Sequence, residues 1–135
     1  MNEEFPLAHL WLGRTYQQKR MYNEALEEYK NAERGVAGWA VAIAAVGNLY
    51  ALSGKADQAR ALLKRLDELS REKYVTPYGK ALVWAGLGDR NQAFSWLNKA
   101  IADRSHWLVW LKIDPRWDAI RSDPRLDELV SRVGL

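Results

Sequence analysis

Three stretches decide the fold: "LGRTYQQKRMYNEALEEYKNA" (12–32), "VGNLYALSGKADQARALLKRL" (46–66) and "KALVWAGLGDRNQAFSWLNKA" (80–100). Laid over one another they are offset by 34 residues. Small residues coincide at Gly13, Gly47 and Ala81, and aromatics at Tyr16, Tyr50 and Trp84. Alanines coincide at Ala25, Ala59 and Ala93. Two further columns follow, Tyr29, Leu63, Leu97 and then Ala32, Leu66, Ala100. A generic helical bundle explains apolar residues at helical spacing but not five columns in one register. A fixed period of this size is the mark of a helical repeat array.

Each copy reads as two helices. The apolar stripe that begins at Leu7, Leu10 and Trp11 recurs every three or four residues. Breaks fall at Lys19-Arg20, Ser53-Gly54-Lys55 and Leu87-Gly88-Asp89. Gly54 and Gly88 can take the left-handed conformation that ends a helix. Asp89 is placed to cap the next helix, and Thr76-Pro77 is a cap followed by proline at the first helical position. The small columns let two helices approach closely, and the aromatic three residues on fills the space towards the neighbouring repeat.

These columns resemble the tetratricopeptide repeat, over about residues 6–107. There are departures. His9, Ile43 and Pro77 stand where that family has an early Trp, and Ala37, Arg71 and Ser105 where it has a closing Pro. Arg20 replaces a Gly and Lys80 an apolar residue. The resemblance implies an all-α fold, a right-handed α-solenoid of three helix pairs in one domain spanning 1–135. The repeats would cover about 6–39, 40–73 and 74–107, with a C-terminal cap over 108–135. Arg71-Glu72-Lys73 suggests that the last helix of the second repeat runs long.

The tail, "IDPRWDAIRSDPRLDELV" (113–130), carries Asp-Pro-Arg twice. Paired carboxylates beside arginines can be acid/base chemistry, but Asp directly before Pro is how a helix starts. The carboxylate accepts free first-turn N–H groups, and proline at the first position loses no bond. This predicts a short helical turn near 115–121 and a helix near 124–133, with Leu126, Leu129, Val130 and Val133 on one face and Gly134 as the stop. Trp107, Trp110, Leu111, Trp117, Ile120 and Leu126 would cover the bare face of the last repeat, as solenoid caps do. Residues 89–135 resemble the C-terminal end of tetratricopeptide regions in bacterial winged-helix regulators, adenylate cyclase-like proteins and serine/threonine kinases. That implies the C-terminal module of a longer regulatory protein, or a stand-alone relative.

By the same resemblance, the first helix of each repeat lines a concave groove. Its peptide-binding surface would be Leu7, Leu10, Arg14, Gln17, Val41, Ala44, Asn48, Tyr78 and Leu82. The surface is mostly apolar. Arg14 and Asn48 could hold a peptide backbone or carboxylate while the apolar rows take side chains. Chaperone-binding members clamp a terminal carboxylate with Lys and Asn; here only Asn48 matches, which argues against that ligand. Alternatively the groove is filled by the protein itself, by a long second-repeat helix, or by another subunit.

Composition narrows function further. The chain has 135 residues, 48% of them hydrophobic and 27% charged, with seven Trp and no Cys, and a net charge of +3. Thiolate metal sites are excluded. No basic block calls for nucleic acid, and the longest apolar run, 39–52, is too short to cross a bilayer. His9 and His106 lack partners at ligand spacing, and no phosphate loop or nucleophile motif appears. The expectation is a non-enzymatic protein-interaction module with no metal, no cofactor, no nucleic acid and no membrane, binding a protein or peptide. A homo-oligomerisation module is the alternative. Cytoplasm is the expected location, with the periplasmic part of a membrane-anchored regulator as the alternative.

Overall fold

The computed structural model describes residues 5–134, leaving out the side chains of His106 and Trp110, so the expectations for those two side chains lie outside the described residues. All the described secondary structure is helical. Six helices alternate: α1 (Pro6–Gln18), α2 (Tyr22–Gly35), α3 (Ala40–Leu52), α4 (Ala56–Leu69), α5 (Pro77–Gly86) and α6 (Arg90–Ala102). Two 3-10 segments, His106–Trp110 and Pro115–Ile120, precede α7 (Pro124–Val133).

The 34-residue register is visible in the helix boundaries. The second helix of each pair starts at 22, 56 and 90, and the first ends at 18, 52 and 86. Only α5 breaks step, starting three residues late. Pro77 holds Thr76 extended, and the Thr76 hydroxyl caps the new helix by accepting from the Tyr78 N–H. The second repeat's last helix does not run long. It ends at Leu69 because Ser70, Arg71, Glu72 and Lys73 are all exposed and offer nothing to bury.

Helices pair within each repeat, α1 on α2, α3 on α4 and α5 on α6, and α3 also packs on α2 and α5. That central place explains why Ala42 to Leu49 are buried without a gap. Tyr50 joins the first and second core clusters, and Trp84 joins the second and third, so these aromatics bridge neighbouring repeats. Gly13 and Gly47 mark close approaches. A Cβ on Gly13 would lie 2.6 Å from the Tyr29 ring, and one on Gly47 2.9 Å from Val83. The first small residue therefore serves packing within its pair, the second packing against the next repeat.

The three turns within the helix pairs each place one residue in the left-handed region: Arg20 (φ 60°), Gly54 (φ 82°) and Gly88 (φ 81°). Only the arginine pays for a Cβ there, at about 1–2 kcal/mol. Part of that is returned by the extra freedom glycine gives the unfolded chain. Arg20→Gly is therefore expected to raise stability by about 0.5–1 kcal/mol, read as a shifted midpoint in urea unfolding.

Candidate functional site

The groove surface drawn from the sequence is largely buried, partly by neighbouring helices and partly by the chain's own tail. Leu10, Arg14, Gln17, Ala44, Asn48, Tyr78 and Leu82 are all buried, Val41 is half-buried, and Leu7 alone of the nine is exposed. The occupant is the 3-10 segment Pro115–Ile120, which lies on α5. A groove filled by the protein itself was one of the alternatives; the segment that fills it is the tail, not a long α4.

Asp114 organises the contact. Its carboxylate accepts from the Arg116 N–H at 3.0 Å, so it starts the 3-10 segment as an N-cap. The same carboxylate meets the Arg116 guanidinium at 2.8 Å, Arg14 of α1 at 3.4 Å, and the donated Tyr78 hydroxyl at 3.1 Å. Trp117 then donates its indole N–H to the Tyr78 oxygen at 2.8 Å, with the two rings edge to face at 5.2 Å. One acid thus ties the first helices of repeats one and three to the tail. Arg121 fixes the tail backbone by donating to the Asp114 and Lys112 carbonyls.

The electrostatics follow from burial. Desolvation pushes the Asp114 carboxyl up, but Arg116 and then Arg14 outweigh it and hold the group below its ordinary value. Desolvation, followed by the Arg116 charge, lowers Arg14, whose guanidinium also lies 4.5 Å over the Trp11 ring. Tyr78 is raised by burial and then by Asp114, so its hydroxyl stays a neutral donor. Burial likewise pushes Tyr29 up to about 12.

Behind this contact runs a second buried network. Tyr29 donates to the Gln17 amide oxygen at 2.6 Å, Gln17 donates to the Asn48 side-chain oxygen at 2.8 Å, and Asn48 donates to the Leu82 carbonyl at 2.8 Å. Gln17 and Asn48, expected to face a ligand, are thus saturated by neighbouring helices. The void left under the tail is about 20 Å³, room for about one water, lined by Leu10, Arg14, Val41, Ala44, Tyr78 and Leu82 among others. An open cleft of about 590 Å³ continues beyond it between Trp39, Tyr74 and Trp107.

The second Asp-Pro-Arg starts α7 in the same way. Asp123 accepts from the Arg125 N–H at 3.0 Å, and the Arg125 side chain donates back to it. These hydrogen bonds hold the Asp123 carboxyl down at about 2. Leu126 and Leu129 of α7 are buried with α6, while Leu111, Trp117 and Ile120 complete the cluster over α5 and α6. Trp107 is half-buried and touches both this cluster and the first one. The two motifs share their local geometry. They differ in that Asp114 faces a buried arginine from another repeat, whereas Asp123 faces a half-exposed one, Arg90, at 3.7 Å.

His9 is engaged by Glu28, at 2.7 Å. Among the described residues no helix is long and apolar enough to cross a membrane. The class that fold and site define is an all-helical protein whose first and fifth helices pack against its own C-terminal segment. No protein-family model matches the sequence, and no curated protein or solved structure matches it.

Proposed function

We propose that this chain is a non-catalytic interaction module of the tetratricopeptide type, three helix pairs in a right-handed solenoid, whose concave face receives a short peptide segment. The observation that carries this reading is the Arg14–Asp114–Tyr78–Trp117 contact. It is a peptide-in-groove interaction made within one chain: an acid on an arginine, an indole on a tyrosine, and apolar residues closing around them. A partner segment with the same features would compete with the tail. Placement in a bacterial regulatory protein rests on the tail's resemblance to such regions.

The test uses a fluorescent peptide of residues 111–122, "LKIDPRWDAIRS". The wild-type chain should not bind it, because its own tail is present at a millimolar-range effective concentration. Asp114→Ala, which loosens the resident tail, should bind it at micromolar concentration in an anisotropy titration. Adding Arg14→Ala should remove that binding. A folded Asp114→Ala chain that ignores the peptide would sink the proposal.

One observation favours a second reading, self-association. Phe5, Leu7 and Leu12 of the first helix and its N-cap are 43–51% exposed, an apolar patch on that helix. If copies cover each other there, light scattering over a dilution series will show a dimer that dissociates. A strict monomer at high concentration removes this reading.

A further inference from the structure

Three aromatic side chains, Trp39, Tyr74 and Trp107, wall the open cleft of about 590 Å³. They mark three successive connections along the chain. Trp39 precedes α3, Tyr74 lies between α4 and α5, and Trp107 opens the tail after α6. The repeat register puts them there. Phe5, Trp39, Lys73 and Trp107 stand at successive 34-residue steps, and where the step falls on Lys73 the next residue, Tyr74, supplies the ring. The cleft therefore crosses the repeats and meets one ring at each step.

Each ring is held. Trp39 packs on the first core cluster, and Trp107 on that cluster and on the one over α5 and α6. Tyr74 is 67% exposed, but its hydroxyl donates to the Asp103 carboxylate at 3.0 Å. Neighbouring polar groups are paired as well. Thr76 meets Ser105 at 3.0 Å, and the Lys73 ammonium donates to the Gly38 carbonyl at 2.8 Å. A ligand rich in hydroxyls would have to compete with these bonds, so what the walls chiefly offer is ring face. Lys73 and Arg104 outnumber Asp103 in the lining, which disfavours a cationic occupant.

Spacing selects among the ligands that remain. α3 and α5 pack closely: a Cβ on Gly79 would lie 2.9 Å from that of Ala44, and one on Gly86 2.9 Å from that of Ala51. Helices packed in this way lie about 8–10 Å apart. A polyproline II segment turns once in three residues at about 3.1 Å each, or about 9 Å per turn. Prolines at every third position therefore keep step with the repeats, whereas an α-helix turns every 5.4 Å or so. Such a segment is extended before it binds, and aromatic-lined grooves are its usual receptor.

We propose that this cleft docks a proline-rich partner segment in the polyproline II conformation, with prolines three apart lying on Trp39, Tyr74 and Trp107. The cleft is open while the tail stays docked, so the site stands apart from the function proposed above.

The test is an anisotropy titration of the full chain with fluorescein-labelled decaproline, an alanine peptide carrying proline at every third position, and one carrying it at every fourth. The first two should bind, and the last at least about tenfold more weakly, the loss expected when a central aromatic contact is missed. Tyr74→Ala should fold as the parent does and bind decaproline at least about tenfold more weakly. Tyr74→Phe, which keeps the ring and drops the bond to Asp103, should bind within about twofold of the parent. Ile113→Ala, in the tail outside the cleft and also 66% exposed, should bind as the parent does. The proposal is overturned if decaproline does not bind, if the two spaced peptides bind equally, or if Tyr74→Ala binds undiminished. An equal loss in Tyr74→Phe or in Ile113→Ala overturns it too. So does binding of maltohexaose in place of decaproline, which assigns the cleft to carbohydrate.

Discussion

Asp114→Ala is expected to cost about 3–5 kcal/mol, the usual consequence of removing one member of a buried charge pair and leaving the other uncompensated. Here two guanidiniums lose their Asp114 contact, Arg14 and Arg116, with side chains only 7% and 10% exposed. The Tyr78 hydroxyl loses its acceptor as well, and the 3-10 segment loses its cap. A chain of this kind has about 5–15 kcal/mol of stability in all. The cheapest response is therefore for the tail to leave, giving both arginines back to water while the helix pairs stay folded. A red-shifted Trp117 emission and faster amide exchange over 111–121 should precede global unfolding in urea. A loss below about 0.5 kcal/mol would mean that the contact is surface decoration. Asp123→Ala should lower the melting temperature by less and leave the groove contact intact, because its partners Arg125 and Arg90 are half in water already.

The same group sets a pH dependence. The folded state holds the Asp114 carboxyl below its unfolded value of about 3.9, so the unfolded chain binds that proton more readily. Its contribution is complete above the unfolded value and is lost as pH falls through the folded one. Tail docking should weaken only in acid below about pH 4, with no change between pH 6 and 8.

Much of the architecture was legible because a repeat writes each packing rule several times. The breaks at Lys19-Arg20, Ser53-Gly54-Lys55 and Leu87-Gly88-Asp89 anticipated helix ends at 18, 52 and 86, and Asp114-Pro115 and Asp123-Pro124 anticipated the starts of the last two helical segments. These are local effects, settled by a side chain and a backbone a few residues away. The site was less legible. Arg14, Gln17, Asn48 and Tyr78 were placed on a groove by resemblance and register, but what covers Arg14 and Tyr78 depends on a contact across a hundred residues, from Arg14 to Asp114. The sequence motif does not distinguish Asp114 from Asp123, since each caps its own segment. One hint was available: an arginine within otherwise apolar rows needs a buried acid, and the tail supplies one. The length of α4 was misjudged because helix propensity in Arg71-Glu72-Lys73 counts for little without an apolar face to bury.

The repeat also predicts its own compensation. Gly13→Ala would bring a Cβ to 2.6 Å from two carbons of the Tyr29 ring. That ring is fully buried and pinned by its hydroxyl on Gln17, which in turn holds Asn48. The helix gains about 1 kcal/mol from losing a glycine. Against this stand up to about 3 kcal/mol of overpacking and about 1 kcal/mol for a disturbed hydrogen bond. The net loss should be about 2–3 kcal/mol, measured as the urea midpoint times an unchanged slope. In the third repeat the corresponding residues are Ala81 and Leu97, both fully buried. Gly13→Ala combined with Tyr29→Leu copies that pair into the first repeat. The ring that caused the clash is gone, although Gln17 loses a donor. The double variant should therefore be more stable than the sum of the single changes by about 1 kcal/mol or more. Strict additivity would mean that Gly13 and Tyr29 do not limit each other, and that the small column has some purpose other than helix approach.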